Sequence, residues 1–170
     1  MPAGYVAVAA TVGRLLGSLV AASLLDRTPA RRVLLVSDAG RFLAAGAERS
    51  FWLRVPSGEL PRAAGMVNKI LAQGEHVIVE SNSVVELVTP DVFLMLLDFS
   101  CEDFKASSLR FMDRADGFVV LDRGINAPLW EEVAKGMWDG KPQFLVKPPR
   151  YVTTAVVEFV KSRLSAPSER

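Results

Sequence analysis

Residues 92–97 read Val-Phe-Leu-Met-Leu-Leu and run directly into Asp98. Unbroken apolarity over strand length, without polar alternation, fits a strand covered on both faces, as in a parallel sheet. Shorter runs of the same kind lie on either side: His76–Val79 (HVIV) and Gly117–Leu121 (GFVVL), then Phe51–Val55 (FWLRV) and Gln143–Val146 (QFLV) further out. Stretches of helical length alternate with them, at Arg41–Ala47, Glu59–Gln73, Glu102–Ala115, Asn126–Asp139 and Tyr151–Leu164. Val152, Val156, Val157, Val160 and Leu164 fall on one face of the last stretch, the face expected to pack on the sheet. Strand–helix alternation predicts an α/β domain of three layers, with a mostly parallel sheet and right-handed crossovers, over residues 37–164. Residues 165–170 read as a tail.

Composition sets the bounds. The 170 residues are 50% hydrophobic and 23% charged, with 20 basic against 19 acidic groups. A chain of this size buries a proper core, and its apolar content excludes intrinsic disorder. The near-neutral balance disfavours a broad nucleic-acid surface. A single cysteine, Cys101, excludes an internal disulfide or a cysteine-rich zinc site, and a single histidine, His76, excludes histidine clusters. A reduced, cytoplasmic setting is expected. The remaining chemistry rests on carboxylates, hydroxyls, lysine and arginine.

Residues 1–36 stand apart. Gly4–Leu25 is apolar or small throughout except for Arg14. Three readings stay open: a buried or amphipathic helix, a membrane-associated segment, and a mis-set start or non-native leader. Arg14 counts against the membrane, at about 2.5–3.5 kcal/mol for a charge at mid-span. Arg31 and Arg32 then lead into a short strand reading at Val33–Val36.

In an open parallel sheet, ligands gather beyond the carboxyl ends of the strands. The residues there are Ser37 and Asp38; Glu80, Ser81, Asn82 and Ser83; Asp98; Asp122, Arg123 and Gly124; and Lys147. Glu80 is the strongest signal, because an acid fixed at the end of an apolar strand is what a magnesium–phosphate centre requires. Equally, it simply ends the strand, with Asn82 making a turn. Asp98–Ser108 (DFSCEDFKASS) brings Asp103, Lys105 and Ser107 towards the same edge, with Ser100 and Asp103 spaced for helix capping, or is no more than a capped helix with a charged face. Arg41 follows Asp38 into a helix and reaches either an anion or a surface salt bridge. Trp130, Trp138 and Tyr151 are assigned to the core or to subunit contacts.

One element is missing. A phosphate loop needs Gly-x-x-x-x-Gly-Lys-Ser/Thr, whose amides and lysine neutralise the phosphates. Gly13-Arg14-Leu15-Leu16-Gly17-Ser18 is one residue short between its glycines, has no lysine before Ser18 and lacks a clear strand followed by a polar loop.

The passages SDAGRFLAAGA (37–47), FWLR (51–54), HVIVESNS (76–83), TPDVFLMLLD (89–98), DFKASS (103–108) and RADGFVVL (114–121) together resemble the later part of the molybdopterin-guanine dinucleotide biosynthesis protein B family of P-loop GTPases. The resemblance covers about half of the chain. It implies an incomplete or degenerate P-loop NTPase-like fold that binds GTP with magnesium, forms a homodimer and serves molybdenum-cofactor biosynthesis beside a partner of that pathway. The family's strand-end acid falls on Glu80, which would be both catalytic and metal-holding. Its Asp-x-x-Arg falls on Asp38 and Arg41, with Ala39 where a threonine is expected. Ser81, Asn82, Asp98, Asp103 and Lys105 would complete a nucleotide cleft. Asp122–Asn126 lacks Asn-Lys-x-Asp, so guanine specificity is not supported there. Without the phosphate loop, hydrolysis is expected to be impaired or absent. The competing expectation is a non-catalytic dimerisation or scaffold domain.

Overall fold

The computed structural model describes residues 5–10, 32–35, 49–51, 53, 55, 59–74, 76–81, 83–101, 106–125, 127–130, 133, 135–147 and 150–165. Its strands are β1 (Tyr5–Ala10), β2 (Arg32–Leu35), β3 (Arg49–Phe51), β4 (His76–Val79), β5 (Val92–Asp98), β6 (Gly117–Leu121) and β7 (Gln143–Val146). They form one sheet in the order β3-β2-β4-β1-β5-β6-β7, and every neighbouring pair is parallel. The helices are α1 (Ala64–Leu71), α2 (Ala106–Phe111) and α3 (Thr154–Ser165), with short 3₁₀ turns at Leu60–Ala63, Val84–Glu86, Met112–Arg114 and Lys135–Met137. The protein is therefore a mixed α/β structure built on a parallel sheet.

β5 shows why the apolar runs become strands: all seven of its residues are buried. Alternate side chains serve opposite layers. Phe93, Met95 and Leu97 join Val77, Val79, Phe118 and Val120 on one face, against Val67 and Ile70 of α1, Phe111, Met112, Trp130, Val133 and Trp138. Val92, Leu94 and Leu96 join Val119, Leu121 and Val146 on the other, against Tyr151, Val152, Val156 and Val160 at α3. The connections from β3 to β4, β4 to β5, β5 to β6 and β6 to β7 all step the same way across the sheet and pack on the first face, as a single crossover hand requires. At the amino end of the sheet, Asp116 Oδ2 accepts the Phe93 N–H at 2.7 Å, and Gly117 lies so close that a Cβ would meet Pro142 O at 3.1 Å.

Several boundaries differ from the sequence reading. Tyr5–Ala10, within the Gly4–Leu25 stretch for which a buried or amphipathic helix is one of three open readings, is the central strand of the sheet; residues 11–25 lie outside the described residues. The segment set apart as 1–36 thus contributes two strands to the sheet that holds the rest. The strand expected at Phe51–Val55 is Arg49–Phe51, and the helix expected at Arg41–Ala47 lies outside the described residues. The helix expected over Asn126–Asp139 is, among the described residues, only the turn Lys135–Met137. There the chain follows tertiary anchors instead: the Leu129 amide donates to Phe99 O at 3.0 Å, and Trp130 and Trp138 dock edge-to-face on Phe99 with centroids 5.7 and 5.6 Å away. Pro128 has no N–H to continue a helical ladder there.

Candidate functional site

The winding of the sheet reverses at its centre. From β1 the chain passes towards β2, and from β5 it passes the opposite way to β6, although β1 and β5 are hydrogen-bonded neighbours. The carboxyl side of such a switch point is where open α/β sheets form their ligand crevice.

Register gives that crevice a step. Val8 on β1 pairs with Val79 at the end of β4 on one side and with Phe93 on the other, so Asp98 lies five residues further along. At ~3.3 Å per residue, β5 rises about 16 Å past the end of β4. β2 and β3 stop level with β4, whereas β6 and β7 rise with β5, since Leu35 pairs with Val79, Leu121 with Asp98 and Val146 with Leu121. The low tread carries Glu80 and Ser81, and the head of the riser carries Asp98.

Glu80 follows directly on β4 and is half-buried. The Ser81 hydroxyl accepts the amides of Ser83 at 3.3 Å and Val84 at 3.2 Å, which starts the 3₁₀ turn Val84–Glu86 and fixes the chain beyond Glu80. Val84 and Val85 are then buried, so the turn is also held from below.

Asp98 is spent on the protein itself. Its Oδ1 accepts the Ser100 amide at 3.0 Å and the Ser100 hydroxyl at 2.6 Å, and its Oδ2 accepts Arg123 Nε at 2.8 Å. Burial alone would raise the carboxyl's pKa, but the hydrogen bonds from Ser100 and the guanidinium of Arg123 outweigh it and hold the group below its ordinary value. The charge is therefore permanent near neutral pH. Arg123 reaches it because the loop turns sharply: Asp122 Oδ1 accepts the Gly124 amide at 3.0 Å, and Gly124 takes the left-handed φ of 75° that glycine adopts without strain. Behind the pair, Phe99, Trp130 and Trp138 form a mutually edge-on triangle, and Trp130 Nε1 makes a long contact of 3.5 Å to Asp98 O.

Of the residues singled out in the sequence, the structure places Glu80, Ser81 and Asp98 on this one edge. Asp38, Arg41, Asn82, Asp103 and Lys105 lie outside the described residues. Ser100 donates its hydroxyl to Asp98; its capping partner in the sequence reading, Asp103, lies outside the described residues. Of the strand and polar loop found lacking around Gly13, the strand is present as β1, which ends at Ala10, and the residues after it lie outside the described residues. Arg123, named among the strand-end residues but given no role in the cleft, reaches 25 residues back to Asp98, which its position after an apolar strand did not show.

Neither a family model nor a curated protein matches the chain. Among the described residues, no group of three or more histidine, cysteine, aspartate or glutamate side chains is placed to hold a metal ion. Among the described residues, no helix is long and apolar enough to cross a membrane.

Proposed function

We propose that this chain is a nucleotide-binding α/β domain derived from the P-loop GTPases, related to the molybdopterin-guanine dinucleotide biosynthesis protein B family, with GTP hydrolysis impaired or absent. The observation that carries the reading is the placement of β1. It is the central strand, its carboxyl end opens at the switch point, and the strand beside it ends in Glu80. This is the position from which a strand-end acid orders the water around a phosphate-bound magnesium ion. Magnesium, when bound, would neutralise phosphate charge. Glu80 would hold its hydration shell, and the capped Ser81 turn would keep Glu80 in place.

The sequence after β1 limits what the domain does with such a ligand. Gly13–Ser18 carries Arg14 but no lysine before Ser18, and its glycines are one residue too close, so the lysine of a phosphate loop is missing there. Binding is expected near 1 mM, about 4 kcal/mol, in place of the micromolar grip of an intact site. Isothermal titration of the protein with GTP and magnesium tests this, with Glu80→Gln alongside. Weak binding that is lost in the variant supports the reading. Micromolar binding with turnover refutes the claim of impairment, and binding indifferent to Glu80 refutes the site. Cytoplasmic location, a homodimer and a molybdenum-cofactor partner belong to the same proposal.

A second reading, a non-catalytic dimerisation or scaffold domain, draws on the far side of the sheet. β7 is an edge strand, and Leu145 on it is 62% exposed. Light scattering on the wild type and on Leu145→Arg separates the two readings. A dimer abolished by the substitution favours the scaffold, and an unchanged mass removes this edge as its interface.

A further inference from the structure

We propose that the outer edge of β7 docks an extended acidic segment of another protein, which joins the sheet as a further strand. The inference rests on the scaffold reading of this edge, names the partner it takes, and asks nothing of the nucleotide crevice.

The hydrogen-bond register turns part of β7 outward. The Phe118 N–H donates to Pro142 O and the Asp122 N–H donates to Val146 O, both at 2.8 Å. By the two-residue period of a strand, Pro142, Phe144 and Val146 are turned to β6. Gln143 and Leu145 then point their own N–H and C=O groups away from the sheet. Among the described residues, nothing pairs with them on that side. The side chains show the same opening. Leu145 stands beside Val120, which is 3% exposed, yet Leu145 itself is 62% exposed. The layer on the first face stops between these two strands. A donor, an acceptor and an uncovered apolar side chain thus meet at one residue in mid-strand, which is what strand addition uses.

Charge selects the occupant. Residues 140–151 hold Lys141, Lys147 and Arg150 and no acid. Lys147 and Arg150 are exposed, and an antiparallel bridge between them keeps both cations at the carboxyl end of β7. Lys141 lies at the other end, with its ammonium on the Asp113 carbonyl. A second copy of the chain fits poorly here. Antiparallel pairing centred on Leu145 would line up the cations of both copies along one short ribbon, and like charges across a strand pair are destabilising. Lysine and proline on an edge deter such self-pairing, and Pro142 and Pro148-Pro149 bracket the stretch 143–147 in sequence. An acidic strand meets the opposite case. Its carboxylates face cations at both ends while an apolar side chain lies beside Leu145.

The test is amide hydrogen exchange of the whole protein, read by NMR, with two capped hexapeptides. One alternates valine with glutamate and the other alternates valine with lysine. At about 1 mM, the glutamate peptide should slow exchange at Gln143 and Leu145 roughly threefold, as a Kd near 0.5 mM gives, and the lysine peptide should not. Lys147→Glu should weaken the glutamate peptide roughly fivefold. Leu145→Pro deletes the outward N–H without touching the ladder to β6, and should remove the protection at Gln143 while circular dichroism stays native. No slowing with the glutamate peptide, or equal slowing with both peptides, overturns the proposal. Protection that is present without peptide and grows with protein concentration also overturns it, because a second copy then fills the edge; the scaffold reading survives that outcome as a dimer. A chain that is monomeric by light scattering and takes the glutamate peptide removes the dimer and supports the acidic partner.

Discussion

Asp98→Asn is the most informative single perturbation, because the carboxylate fastens the ends of two strands at once. The amide keeps the shape and leaves one oxygen for Ser100. It removes the negative charge and presents an N–H₂ or a weaker acceptor to Arg123 Nε. Hydrogen bonds that involve a charged partner contribute about 1.5–3 kcal/mol, and the share from the half-exposed Arg123 is reduced to about 0.5 kcal/mol by solvent screening. The loss worked from the Ser100 contacts at 2.6 and 3.0 Å and the Arg123 contact at 2.8 Å is therefore about 2 kcal/mol at pH 7. For a chain of this length, that lowers the melting temperature by roughly 4–8 °C. The sign of the pH dependence follows from the lowered pKa. A carboxyl that titrates lower in the folded state contributes fully above its unfolded value near 4, and the contribution disappears as pH falls through the folded value. Urea denaturation of wild type and variant at pH 7, 5 and 3, followed by fluorescence of Trp130 and Trp138, reads this directly. The two stabilities should differ at pH 7 and 5 and converge towards pH 3. A deficit below 0.5 kcal/mol at pH 7, or one that persists unchanged into acid, refutes the account of Asp98 as a charged fastener.

Three further outcomes follow from the packing. Phe118→Ala empties a fully buried site between the sheet and its helices and should cost about 3–5 kcal/mol by chemical denaturation. Gly117→Ala drives a Cβ to 3.1 Å from the Pro142 carbonyl and 3.3 Å from the Phe144 ring, for an expected loss of about 1–3 kcal/mol in thermal melting. Ser81→Ala removes the acceptor for two amides; it should cost about 0.5–2 kcal/mol, with faster hydrogen exchange at Ser83 and Val84 and little change around Asp98.

The parts of the fold legible in the sequence are those with a short apolar run bounded by polar residues, most plainly where burial on both faces keeps the run uninterrupted, as in β5 and β6. β4, β6 and β7 occupy the residues expected, and β5 extends only to Asp98. β1 was hidden for the same physical reason. Tyr5–Ala10 runs into more small and apolar residues, so neither length nor alternation marks where the strand stops. The stretch 126–139 misled in the opposite direction, since its helical length gave no sign that Trp130 and Trp138 pack on Phe99, far away in sequence. Site residues at strand ends could be named because topology alone sends them to one edge. Their pairing could not, because no local pattern reports that Arg123 bends back to a carboxylate 25 residues earlier.

The central position of β1 also orders events in time. Tyr5 and its neighbours pair with residues 76–79 and 92–95, so the earliest of these strands to be synthesised waits for chain made some seventy residues later. Until then β1 has neither of its neighbours, and β2 and β3 stand without the strand β4 that joins them to it. Pairing across that separation is a long-range, slow step, and during it the edges of the unpaired strands are open to pairing with another chain. A chaperone that shields those edges, or a lower expression temperature, should raise the soluble yield more than any surface substitution would.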